Sequence, residues 1–149
     1  MDQDRNGHVE PVGLAKPTRC RRLIVFGYYD GATDGVLEAD TGDVYRFDMQ
    51  GEGYNPDGLD RRTYLFRPLA SDALDRLAAV IGKYIPPSWP GWFPIWEFPD
   101  TDAQAAVENQ IDAILSEAGP AQWQDVGESL WATEPFAEVR PVTTPAVRT

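Results

Sequence analysis

Along its first half the chain alternates apolar and polar residues at strand spacing, and further on apolar residues recur at helical spacing. The run Leu23-Ile24-Val25-Phe26 is apolar at consecutive positions, as in a central strand covered on both faces. Gly27 weakens such a strand unless it marks a bulge or a close backbone approach. DGATDG then reads as a turn, GVLEA as a short second strand and DTGD as another turn. In VYRFDM, residues 44–49, Tyr45, Phe47 and Met49 share one face, with Arg46 and Asp48 on the other. That pattern predicts a half-buried antiparallel strand. After a polar, glycine-rich loop, RRTYLFRP carries Tyr64 and Phe66 inward as a fourth strand, which Pro68 ends.

The period then lengthens to 3.6. Leu74, Leu77, Ala78 and Ile81 form one stripe of a helix, with Ser71 as its N-cap. TDAQ opens a second helix with a capping box, Thr101 and Gln104. Val107, Ile111, Ile114, Leu115 and Ala118 line its inner face, and Gly119-Pro120 stops it. Residues 121–142 show no clear period; a strand near Gln122–Val126 and a loose ending are expected. Strands first and helices afterwards predict an α+β fold. Its form is an antiparallel sheet of about four to five strands, an N-terminal meander, with two helices packed on one face. Residues 1–18 read as a mobile arm, 19–142 as a single domain and 143–149 as a frayed tail.

Composition narrows the chemistry more than it suggests any. The net charge of −11 is uneven: residues 1–22 carry +2, 23–60 carry −8, 61–99 carry +2 and 100–149 carry −7. Nucleic acid and anionic membrane both call for a cationic footprint, and this distribution offers none, so neither is expected as a partner. No apolar run approaches the ~18 residues of a membrane span, and MDQDRNGHVE lacks the apolar core of a secretory signal. The one cysteine, Cys20, admits no intrachain disulfide, and a cytoplasmic setting is expected. The one histidine, His8, lies in the arm, which leaves histidine-based triads and zinc sites without a base or ligand. No phosphate-binding glycine motif occurs, and no cofactor is implied.

Two acidic constellations remain. DGATDGVLEADT, residues 30–41, places Asp30, Asp34 and Gly35 at calcium-loop positions 1, 5 and 6. Ala32 and Thr41, however, stand where ligand oxygens are required, so no metal is expected. As catalytic candidates, Asp30 and Asp34 join Glu97, which lies between Trp96 and Phe98, where desolvation raises a carboxyl pKa. Two acids roughly 5–10 Å apart beside aromatic rings suit a glycosidase-type hydrolase.

The stretch IPPSWPGWFPIWEFP, residues 85–99, concentrates Trp89, Trp92 and Trp96 among five prolines. Proline fixes φ and removes a donor, so this strap is extended and is expected to pack its rings, with any exposed ones meeting a partner. On the second helix Glu108, Asp112 and Glu117 have no basic residue on the same helix, and Glu108 and Asp112 repel at i, i+4. These acids and tryptophans are the candidate partner-binding residues. The sequence therefore points to a non-enzymatic acidic module working through protein–protein contacts, immunity- or inhibitor-like, against a basic partner. The alternatives are a carboxylate-dependent hydrolase with a Trp-lined cleft and a structural subunit that buries its strap in an assembly.

Overall fold

A computed structural model describes residues 15–29, 31–54, 60–82, 91–93, 101–127 and 130–142. Seven strands form one sheet: β1 (Cys20–Tyr28), β2 (Ala32–Ala39), β3 (Val44–Tyr54), β4 (Asp60–Leu69), β5 (Gly91–Trp92), β6 (Trp123–Gly127) and β7 (Val139–Pro141). Their order is β5-β1-β2-β3-β4-β6-β7. Every neighbouring pair is antiparallel except β1 and β5. The meander of the first four strands and the α+β class agree with the sequence pattern. The strand count does not, because β5 and β7, at two and three residues, are too short to display a period.

Both faces of the sheet are covered, which is why β1 is apolar at consecutive positions. Ile24 and Phe26 face helix α1 (Ala73–Ile81) and helix α2 (Thr101–Leu115), sharing a core with Val36, Val44, Leu74, Leu77, Val107 and Ile111. Leu23 and Val25 face the other way, into a second core with Leu37, Tyr45, Phe47, Tyr64, Phe66 and Trp123. The two helices therefore lie on one face, as the sequence predicts. Asp72 rather than Ser71 occupies the N-cap of α1, and its side chain makes no capping bond.

The second core is closed by residues 130–142, the segment expected to be a loose ending. Leu130, Ala132 and Val139 are buried there, and Phe136 packs its ring 5.2 Å from that of Phe66. Backbone bonds hold the segment: Thr133 N donates to Cys20 O at 2.8 Å and Phe136 N to Thr18 O at 3.1 Å. The buried Asp125 carboxylate accepts from the backbone N–H groups of Glu138 (2.6 Å) and Ala137 (3.4 Å). Thr133 takes a positive φ of 74°, uncommon for a β-branched residue; its carbonyl is also bonded, by Arg19 Nη1 at 2.6 Å.

Two boundaries move. Pro17 is buried, and Thr18 donates through its N–H and hydroxyl to the two Asp40 carboxylate oxygens, at 2.9 and 2.6 Å. The last residues assigned to the arm are thus fixed to the domain; residues 1–14 and the tail 143–149 lie outside the described residues. DGATDG is not all turn either. Ala32, Thr33, Asp34 and Gly35 belong to β2, and the connection from β1 narrows to residues 29–31, with Gly31 at a φ of 126°.

Candidate functional site

The tight β1–β2 connection raises an aromatic corner at the β5 edge of the sheet. Tyr28 and Trp92 come together with ring centroids 5.3 Å apart and planes tilted by 36°. Both stay nearly half exposed, at 45% and 48%, and neighbouring Tyr29 is 70% exposed. The strap thus divides: Phe93 is buried against Phe26 (6.4 Å, edge to face), while Trp92 faces water, contrary to the expectation that its tryptophans pack inward. The reason is register. Gly91 and Trp92 pair with Ile24 and Val25 of β1, and in that register the Trp92 ring lies against Tyr28 with nearly half of the residue exposed. Trp89 and Trp96 lie outside the described residues.

Beneath this corner sits Arg62, fully buried on β4. It shares a face with Tyr64 and Phe66 through the two-residue period. Its guanidinium donates to the Tyr29 carbonyl through Nη2 and to the Ala32 carbonyl through Nη1, at 3.3 Å in the latter case. The Tyr64 hydroxyl donates to the same Ala32 carbonyl at 2.7 Å. A buried charge and a buried phenol are therefore both directed at the main chain of the hairpin tip. Sequence reading missed this role of Arg62, although its spacing from Tyr64 and Phe66 carried the signal.

On the helix-side face the register sets Asp34 of β2 directly opposite Asp48 of β3. Such cross-strand partners hold their Cβ atoms roughly 5 Å apart, and like charges there are unfavourable. Gly27, across from Asp34 at a bulge in β1, makes room: a Cβ on it would come within 2.0 Å of Asp34 Oδ1. Burial pushes the Asp34 carboxyl above the ordinary carboxylate range. The charge of Asp48 adds to that shift, and the Thr33 hydroxyl, donating at 3.0 Å, and Arg46 oppose it. Asp48 is flanked by Arg46 Nε at 3.7 Å and Arg67 Nε at 3.6 Å. Of the three catalytic candidates only Asp34 is described; Asp30 and Glu97 lie outside. Its described partner, Asp48, went unnoticed in the sequence because opposition is a property of register. Thr33, Asp34 and Gly35 are strand residues of β2, and Asp30, the first residue of the calcium-loop register, lies outside the described residues.

The acids of α2 separate as well. Glu117 is held by Arg76 of α1 in a two-pronged ion pair, both oxygens at 2.9 Å, so the expectation that its charge goes unrelieved fails. Arg76 lowers the Glu117 pKa by hydrogen bonding and charge, and Glu117 raises that of Arg76. Glu108, half-buried, and Asp112, exposed, make no ion pair among the described residues. Elsewhere, a shallow cavity of about 310 Å³ lies between Lys16–Thr18 and Phe136–Val139, away from the Asp34–Asp48 pair. The Cys20 thiol is pushed up to about 12, first by burial and then by Glu38, and so is not a ready nucleophile.

Among the described residues no three His, Cys, Asp or Glu side chains gather as a metal site, and no helix is long and apolar enough to cross a membrane. The chain matches no protein-family model, no curated protein and no solved structure, so any function has to be read from the aromatic corner and the acids themselves.

Proposed function

We propose that the chain is a non-enzymatic acidic binding module that acts through protein–protein contacts on a basic partner, as an immunity or inhibitor protein does. The observation that carries this reading is the aromatic corner of Tyr28, Tyr29 and Trp92, left open to water on a protein that buries its other described rings more deeply, Trp131 excepted. Tyr and Trp dominate interface hot spots, and their low conformational freedom makes them cheap to immobilise. Glu108 and Asp112 add the long-range part, since unrelieved acids accelerate encounter with a cationic surface.

Affinity capture from native lysate at low and high salt tests this with three baits: wild type, Tyr29→Ser/Trp92→Ser, and Glu108→Gln/Asp112→Asn. A basic protein retained by wild type at low salt and depleted from both variants is the expected result. Equal retention on all three baits, or no basic protein at all, rejects the reading.

One observation favours a second reading, a carboxylate-dependent hydrolase. An Asp34 carboxyl biased towards its protonated form, set directly opposite the arginine-flanked Asp48, suits a general acid with a second carboxyl group beside it. A hydrolytic activity abolished by Asp34→Asn, with the fold intact, would transfer the assignment to it.

A further inference from the structure

We infer that the Asp34–Asp48 pair is a proton-operated device built into the β1–β2 hairpin. Uptake of one proton by Asp34 moves its side chain off the Gly27 bulge towards Asp48, and the hairpin end that carries Tyr28 and Tyr29 shifts with it. The inference stands whatever the aromatic corner binds.

The pair is placed where a small movement is passed on. In the sheet Asp34 has Gly27 of β1 on one side and Asp48 of β3 on the other. Gly27 lies between two register shifts in the β1–β2 pairing, and such bulges bend and twist the strand that carries them. The room left by its missing side chain is filled by the Asp34 carboxylate and the Thr33 hydroxyl, which come within 2.0 and 2.5 Å of where a Cβ would stand. Thr33 donates to that carboxylate at 3.0 Å. One step further along the hairpin, Tyr28 pairs with Ala32. With the Ala32 carbonyl held by Arg62 and Tyr64, a displacement at Gly27 falls on the Tyr28 strand.

The charges around Asp34 give the motion its direction. Asp48 and Arg46, both on β3, act on it with opposite sign. Arg46 Nε and Arg67 Nε, the latter from β4, lie 3.7 and 3.6 Å from the Asp48 carboxylate, which leaves Asp34 as the member free to move. Gly27 brings no side chain from β1, and among the described residues no charge on α1 or α2 acts on Asp34. Ionised, Asp34 is repelled by Asp48 and stays over Gly27. Protonated from water, it loses that repulsion, gives up the Thr33 bond and gains an O–H for the Asp48 carboxylate to accept. Burial first, and the charge of Asp48 after it, raise the Asp34 pKa above the ordinary value near ~3.9.

The test is an acid titration of the isotopically labelled full chain, read at the Asp34 carboxyl carbon and the Gly27 and Tyr28 amides. All three should move with one midpoint above ~3.9, while the Trp123 indole, in the core on the other face, stays in place. Residual dipolar couplings of the Gly27, Tyr28 and Tyr29 amides report bond orientation and not nearby charge, and they should differ between the two ends of the titration. In Asp34→Asn the amide titration should vanish, and at neutral pH both amides should already be displaced towards their acid positions. Asp48→Asn should lower the Asp34 midpoint by removing the repulsion. Gly27→Ala should raise it, because the added methyl crowds the carboxyl towards Asp48. Having opposite expected shifts, these two variants keep the test open should Asp34→Asn fail to fold.

Couplings that stay constant across the titration overturn the device, since Asp34 then takes its proton without moving the hairpin. A Gly27 and Tyr28 titration that survives in Asp34→Asn overturns it too, as does a midpoint that neither Asp48→Asn nor Gly27→Ala alters. If every resonance moves together, the Trp123 indole included, the chain is unfolding with acid and there is no local device.

Discussion

Arg62 and Tyr64 share one acceptor, the Ala32 carbonyl, and that sharing can be measured. Tyr64→Phe deletes a single neutral hydrogen bond, which is worth about 0.5–1.5 kcal/mol. Arg62→Met keeps the length and apolar stem of the side chain but removes charge-assisted donors to the Tyr29 and Ala32 carbonyls. Each such bond contributes about 1.5–3 kcal/mol, offset by the several kcal/mol needed to desolvate a buried guanidinium, so a net loss of about 2–4 kcal/mol is expected. At ~2–4 °C per kcal/mol for a chain of this size, the melting temperature should fall by roughly 5–15 °C. In either single variant Ala32 O keeps one of its two side-chain donors, whereas the double variant removes both. Its loss should therefore exceed the sum of the singles by about 1 kcal/mol, the cost of leaving a buried carbonyl unsatisfied. Urea unfolding with linear extrapolation reads all four corners of this cycle, provided the slope m stays constant. Hydrogen exchange at the Tyr29 amide, which donates to Gly31 O at 2.9 Å, reports the hairpin tip separately. Additivity within ~0.5 kcal/mol, or an Arg62→Met variant as stable as wild type with an equally protected Tyr29 amide, would refute the anchoring of the corner.

Other expectations concern the carboxylate pair and the strap. Because the folded-state pKa of Asp34 lies above the ordinary value near ~3.9, its penalty is absent below that pH, grows as pH rises through the gap to the raised value, and is complete above it. Asp34→Asn should thus be more stable than wild type at pH 7 and indistinguishable at acid pH, measured by urea unfolding at both; an equal difference at the two pH values contradicts this account. Phe93→Ala should cost about 3–5 kcal/mol, as for a buried aromatic, while Trp92→Ala should cost far less, its ring being half in water. Chemical denaturation of the two variants decides it, and a Trp92→Ala loss matching that of Phe93→Ala would mean the corner serves packing.

What could be read from the sequence was whatever a local period encodes. Tyr45, Phe47 and Met49 announce β3, Leu74, Leu77 and Ile81 announce α1, and the core faces follow from both. Properties of pairing were invisible. Thr33, Asp34 and Gly35 look like turn residues, yet partners on β1 and β3 draw them into a strand. Glu117 seemed isolated because its arginine comes from another helix. Leu130, Ala132, Phe136 and Val139 have no regular spacing, and their apolar character makes sense only once they close the second core. Arg62 occupies an inward position by period, but a period says where a side chain points and not which carbonyls await it.

The two ends of the sheet have a consequence for behaviour at high concentration. β5 is two residues long with Pro90 and Pro94 flanking it in sequence, and β7 ends in Pro141. Proline has no N–H to offer an arriving strand, and very short borders give little to align against. Lateral growth of the sheet from one molecule to the next, the step that templates fibrils, is therefore discouraged on either side. What this protein can show a neighbour is rings and carboxylates, with its main chain withheld.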